Sequence, residues 1–288
     1  MIDMVRRVYV DTADSSGKKS RKKHVCYDPQ ARMFFKLNRL AELQCYDEVY
    51  VDSLFPRLYE EVLELLRRGV KVFRLKEVRL IKRLRESNGV EKSDESDAYI
   101  LSLIPDEFYR ELSAEELQLK RLVSEYLAVD RLIVKLKSCG DRLKLDLRES
   151  IKALEKRKEE VAERICDAVE GNEFYRRVLE YLGYRRSPLI AMMLAMIDFS
   201  RGTHKILDYL GLHAKAEEHN HIARTILSKI AANIYVSALN PRIRDNIPEK
   251  YIKIAQRHPR GKAMLKIQTE VIRDIRRLWL NQQVLAAR

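Results

Sequence analysis

DEVYVDSLFPRLYEEVLELLRRGVKVFRL, residues 47–75, decides the fold. DEVYVD (47–52) reads as a strand that ends in an acid, Asp52. Pro56, with its fixed φ and missing N–H, suits the start of a helix. Apolar positions then recur at helical spacing as far as Gly69, a residue type that ends helices. VKVFRL (70–75) reads as the next strand. Strand, helix and strand in immediate succession argue for an α/β domain with parallel pairing.

The pattern extends outward in both directions. Upstream, VRRVYVD (5–11) reads as a strand ending in Asp11, SSGKKSRKKH (15–24) as a basic loop or hairpin, and ARMFFKL (31–37) as a strand after the Asp28-Pro29 turn. Downstream, a second helix begins near Lys76. From about residue 96 the grammar changes: Ser96 to Leu103 reads as helix, Pro105 breaks it, and residues 113–171 are charged and close to strand-free. Ser113 with Glu116 forms a capping-box pattern. An apolar stripe runs from Leu119, Leu122 and Val123 through Tyr126, Ile133 and Leu136 to Leu147. Gly140 is the place for a bend or break, giving two helices or a coiled-coil-like antiparallel pair. This stretch reads either as a solvated spacer or as an arm that orders a partner. Residues 172–288 read as a helical domain, with two short helices over 174–197 separated by the Gly183–Pro188 segment, single helices over 204–212 and 219–239, and a final pair over 251–281 joined around His258–Gly261. The expected division is 1–110, 111–171 and 172–288.

Composition narrows the partners. With 288 residues and 46% hydrophobic content, two folded domains are expected. A formal net charge of +13 favours a polyanion. LIAMMLAMI (189–197) is too short to span a bilayer, and MIDMVRRVYVD passes directly into a strand pattern and does not read as a secretory signal. The cysteines, Cys26, Cys45, Cys139 and Cys166, match neither a disulfide framework nor a zinc knuckle. Reduced core thiols, a cytoplasmic location and no membrane association follow as expectations.

The chemistry is carried by acids. Asp11 and Asp52 close strands, the place where α/β folds collect active-site groups. In GVEKSDESDAYILS (89–102), Asp94 and Asp97 stand three apart, on one face of a helix. Four carboxylates supply hard oxygens suited to one or two Mg2+ or Mn2+ ions, which can activate and stabilise the oxygens of a phosphodiester. Asp14 is a reserve candidate. The same residues also fit an ordinary helix start, with Ser93 or Asp94 as cap and Asp97 in a first turn that favours acids.

Cations surround this pattern. Lys18, Lys19, Arg21, Lys22 and Lys23 fill the loop KKSRKKH; Arg79, Lys82, Arg83 and Arg85 precede the acidic element. Arg185 and Arg186 fall in an interhelical turn, and Arg257, Arg260 and Lys262 in another. Each can contact phosphate, and each also fits a solvated surface. His213, His219 and His221 read as polar loop and cap residues rather than a zinc set, since no cysteine stands nearby. Trp279, Tyr181, Tyr184 and Tyr209 read as packing residues.

RVYVDTADSSGKK, VYVDSLFPRLYEEVLELLRRGVKVFRL and VEKSDESDAYILS resemble, in order and spacing, the N-terminal half of IS110-type transposases and Piv-like DNA invertases. The resemblance implies a RuvC-like, ribonuclease-H-like domain, a long helical arm and a small helical domain. Asp11 matches the family's first strand aspartate. Asp52 matches a second acid that is more often Glu. Lys92, Asp94, Asp97 and Ala98 match a K-x-D-x-x-D-A element. ILDYLGL (206–212) resembles the helical domain's A-x-x-L-G-L segment. What this implies is a magnesium-dependent transposase or recombinase acting on DNA and a structured RNA partner; the long helices, separately, lead to the expectation of a homo-oligomer. The family's C-terminal serine has no counterpart between Leu212 and Arg224, and Ser228 and Ser200 are poor matches. A catalytically reduced adaptor or repressor on the same scaffold is the alternative.

Overall fold

The computed structural model describes residues 5–13, 22–213 and 219–286. It divides into two compact units, Met1–Arg121 and Leu122–Arg288. The first is built on a six-stranded mixed sheet of β1 (Arg7–Asp11), β2 (His24–Asp28), β3 (Met33–Leu37), β4 (Glu48–Val51), β5 (Lys71–Leu75) and β6 (Tyr109–Glu111). The strand order is β3-β2-β1-β4-β5-β6. β1, β4 and β5 are parallel, and the remaining pairs are antiparallel. The crossover between β4 and β5 is a 3-10 turn, Pro56–Leu58, followed by α1 (Tyr59–Arg67). α2 (Arg79–Ser87) and α3 (Asp94–Leu103) connect β5 to β6.

Both faces of the sheet are covered, which is why its central strands are nearly continuous apolar runs. On one face Val8, Val10, Val49, Val51 and Val72 pack with Val62, Leu63 and Leu65 of α1. On the other, Tyr9, Tyr50 and Leu75 pack with Ile81 of α2 and with Ile100 and Leu101 of α3. The rings of Tyr9, Tyr50 and Phe73 stack across three strands, each pair with centroids 4.8 Å apart. Such pairs contribute about 0.5–1.5 kcal/mol beyond burial.

Two strands escape the sequence reading. HVCYD, assigned to the basic loop and the turn after it, is β2; its buried Val25 and Cys26 are flanked by charge, so no long apolar rhythm announces them. β6 is only three residues long.

α3 begins where its cap dictates. The Ser93 hydroxyl accepts from the Ser96 N–H at 2.9 Å, and the Ser96 hydroxyl accepts from the Ser93 N–H at 2.8 Å. Ser93→Ala is expected to lose about 1 kcal/mol in urea unfolding. An unchanged midpoint would show that this cap does not set the helix start.

α4 (Ala114–Leu143) carries the chain into the second unit and pairs there with α5 (Arg148–Val169). Ion pairs Glu125–Arg164, Asp130–Lys158 and Lys137–Glu155 run in opposite senses along the two helices, as in an antiparallel pair. The reversal is not at Gly140, as the sequence suggests. The helix continues through it and stops at Lys144, whose φ is 52°. Gly140 instead makes room for the returning chain: a Cβ there would sit 3.3 Å from the Leu145 carbonyl oxygen.

The rest of the unit is α6 (Glu173–Leu182), α7 (Pro188–Met196), α8 (Thr203–Tyr209), α9 (His221–Leu239), α10 (Glu249–Arg257) and α11 (Arg260–Ala286). α9 is central, packing on α7, α10 and α11 through Ile226, Leu227, Ile230 and Ile234. Among the described residues, no helix is long and apolar enough to cross a membrane. All four cysteines are free. Cys26 and Cys166 are buried, whereas Cys45 is exposed and Cys139 half-buried, so only two are the expected core thiols.

Candidate functional site

The alternation of a strand places the acids. Arg7, Tyr9 and Asp11 share one face of β1. β4 runs parallel in the register Arg7–Glu48 and Tyr9–Tyr50, so Asp52, one residue beyond β4, falls beside Asp11 on that face. The Asp52 N–H reaches the Val10 carbonyl at 3.4 Å and extends the ladder to this point. α3 packs across β1 and β2 on the same face, and its first turn carries Asp94 and Asp97.

Asp11 lies within electrostatic reach of the other three acids. The Asp11 carboxyl is pushed up to about 7, first by burial and then by the charges of Asp52, Asp94 and Asp97, with Lys22 opposing. Burial and like charges both favour the protonated acid. The fold therefore gathers acids from two strand ends and a helix start.

Each acid is nevertheless separately held. Asp52 is buried, accepting from the Thr12 N–H at 2.9 Å, the Thr12 hydroxyl at 2.7 Å and the Ser53 hydroxyl at 2.9 Å. Asp97 is paired with Arg85 of α2 in a largely buried contact, with 17% and 13% of the two side chains exposed. Asp94 is exposed at the helix start. Among the described residues, no three of these carboxylates bring oxygens within 4.8 Å of one another. Arg85, which sequence reasoning grouped with strand-holding cations, is instead the partner of a site acid. Nothing in the sequence spacing announces that pairing, because it depends on how α2 packs on α3.

Beside the acids, the Ala13 N–H donates to His24 Nδ1 at 3.1 Å. Burial first, then the charge of Arg57, holds His24 below the usual imidazole range. A neutral ring fits that acceptor role, and it pins the chain as it leaves β1.

The sequence-derived cations divide into groups. Lys18, Lys19 and Arg21, with Asp14, lie outside the described residues. Lys22, Lys23, Arg79 and Lys92 are exposed. Lys82 and Arg83 are exposed but paired with Glu86 at 3.7 Å and Glu77 at 3.2 Å. In the second unit Arg185 is exposed, and Arg186 pairs with Asp167. Arg257, Arg260 and Lys262 are exposed around the α10–α11 turn. Partial desolvation, then Lys266, Lys262 and Arg257, holds His258 below its ordinary value.

Tyr181 donates to Asp274 at 2.9 Å, the Tyr184 hydroxyl is buried, and Tyr209 accepts from Asn220 at 2.6 Å. These tyrosines are packed, as expected. The Ser228 hydroxyl donates to the Arg224 carbonyl at 2.8 Å, one turn back, and the Ser200 hydroxyl bonds Asp198 at 2.5 Å. The histidines regroup: His219 lies against His221 with the rings tilted, while His213 lies against His204, whose partnership the sequence reading missed. The signal that could have found it is the four-residue spacing of His204 and Asp208.

No protein-family model matches the chain, and no curated protein matches it.

Proposed function

We propose that the chain is a nucleic-acid-processing protein of ribonuclease-H-like architecture, related to IS110-type transposases, that acts on DNA phosphodiesters at Asp11, Asp52, Asp94 and Asp97. The observation that carries this reading is the placement of Asp11 and Asp52 side by side at the ends of adjacent parallel strands, with the acidic first turn of α3 packed on the same face; the raised Asp11 carboxyl agrees with it. A protein gains nothing in stability from such repulsion, and a bound cation relieves it.

The donor set fits a hard divalent ion, since it offers several carboxylate oxygens at the ends of adjacent parallel strands. When bound there, Mg2+ or Mn2+ supplies positive charge for the attacking and leaving oxygens of a phosphodiester. Thr12 and Ser53 fix the direction of the Asp52 carboxylate. Arg85 must yield Asp97 before that carboxylate can serve as a ligand. Lys22, Lys23, Arg79 and Lys92 are available to phosphates, with affinity that falls as salt rises. Ser228, bonded within its helix, is not poised as a nucleophile, so water is the attacking group this reading favours. A structured RNA belongs to the same proposal through the family resemblance, and self-association through the long helices α4 and α5.

One observation favours the alternative, a binding adaptor on the same scaffold: Arg85 already satisfies one of the acids. Binding and cleavage of branched and single-stranded DNA, with and without Mg2+ or Mn2+, separate the two. Metal-dependent cleavage that disappears in Asp52→Ala, with binding retained, supports the enzyme. Salt-sensitive binding without cleavage under any divalent ion supports the adaptor. Absence of both overturns the proposal.

A further inference from the structure

We propose that His204, Asp208 and His213 form a binding site for a first-row transition ion such as Zn2+, Co2+ or Ni2+, chemically unlike the all-carboxylate site. His204 and Asp208 stand one turn apart on α8, with Nδ1 and Oδ2 2.8 Å from each other. The third ligand arrives because the helix ends in a tight reversal. The Gly211 N–H bonds the Asp208 carbonyl at 2.9 Å and the Leu212 N–H bonds the Leu207 carbonyl at 2.8 Å. Gly211 itself has φ 63°, which favours glycine. The chain then folds back and sets the His213 ring 4.1 Å from that of His204, centroid to centroid. One ligand atom from each of the three residues lies within 4.8 Å of the others, the one such group of His, Cys, Asp and Glu among the described residues.

The reversal is held from outside as well. A Cβ on Gly211 would lie 2.7 Å from Cγ of His219, so that ring packs directly on the turn. The Asn220 N–H bonds the Tyr209 carbonyl at 2.8 Å, and Arg224 donates to the Leu210 carbonyl at 3.2 Å. His213 therefore follows a built turn.

Two imidazoles and a carboxylate are a borderline donor set, suited to zinc and its neighbours rather than to magnesium. Ligand atoms around such an ion sit roughly 3 Å apart, so a small rotation of exposed side chains closes the site. Three protein ligands leave at least one position open to water or to a further ligand. The competing account is a surface His–Asp pair with a neighbouring ring, which requires no ion and contributes little.

The test is zinc titration of the full chain against a chromophoric chelator, in excess Mg2+ to occupy the carboxylate site. The native protein is expected to bind one zinc, and His204→Ala and His213→Ala each to weaken it by on the order of 10- to 100-fold. His221→Ala and Asp52→Ala are expected to leave zinc affinity unchanged. His204 is largely exposed and Asp208 half-buried, and circular dichroism of each variant checks that the fold persists. Zinc binding that survives both His204→Ala and His213→Ala, or that is lost in Asp52→Ala or His221→Ala instead, overturns the proposal. So does a native protein that takes up no zinc. None of these outcomes depends on DNA cleavage, so failure here is distinct from failure of the acidic-site reading.

Discussion

Asp11→Asn is expected to unfold at higher temperature than the native chain near pH 8 without divalent ions, while losing metal-dependent cleavage. The sign follows from linkage. The folded carboxyl titrates at about 7 against an ordinary 3.8, so between those values the native state holds the proton more tightly than the unfolded chain. Stability from this group is present below 3.8 and is lost as pH rises through about 7. Replacing it with a neutral amide removes the penalty, a gain on the order of 2 kcal/mol once its partial solvent exposure is allowed for. Mg2+ should stabilise the native chain near pH 8 and do so less for the variant. Removing a ligand should also cost several kcal/mol in cleavage, on the order of 10³-fold in rate. Thermal scans at about pH 5 and pH 8, with and without Mg2+, check the first part, and a cleavage assay the second. Equal stability and equal Mg2+ response in both proteins would mean that the acids do not share a site.

The path to that cluster shows what a sequence can and cannot display. VRRVYVD and DEVYVD each announce a strand ending in an acid, and period-two alternation puts Asp11 and Asp52 on one face once the strands are adjacent. Adjacency itself is not written locally. It arises because β1 and β4 are neighbours in the sheet although β2 and β3 lie between them in the chain. The Asp94–Asp97 spacing fixes a shared helix face, and Ser93 fixes the helix start. Which way Asp97 turns is decided by Arg85, a contact between two helices that short-range periodicity does not encode. Gly140 misleads for a related reason. A glycine in a helix costs about 1 kcal/mol, which reads as a break, yet here its bare backbone admits the Leu145–Leu147 turn. In each case the local pattern names the element and tertiary packing decides the use.

In the helical unit, the largest loss of stability is expected from Asp274→Leu. Asp274 lies on α11 with 1% of its side chain exposed. Its Oδ2 accepts from the Tyr181 hydroxyl at 2.9 Å and the Tyr251 hydroxyl at 2.6 Å, and Lys250 pairs with the same oxygen. Burial, then the bond to Asp274, raises both phenols above their ordinary range, so they remain donors. One carboxylate thereby joins α6, α10 and α11. Leucine would leave the buried Tyr251 hydroxyl without an acceptor, whereas Lys250, one-third exposed and 3.3 Å from Glu270, can turn to that acid. The expected loss is about 3–5 kcal/mol in urea unfolding, against about 1–2 kcal/mol for Tyr251→Phe. The double variant should lose less than the sum, because the phenol stranded by leucine is then gone. Replacing a buried charge with an apolar side chain stabilises some proteins, when all its partners leave with it. Here they stay behind, and an unchanged midpoint for Asp274→Leu would show that desolvating the carboxylate costs as much as its bonds return.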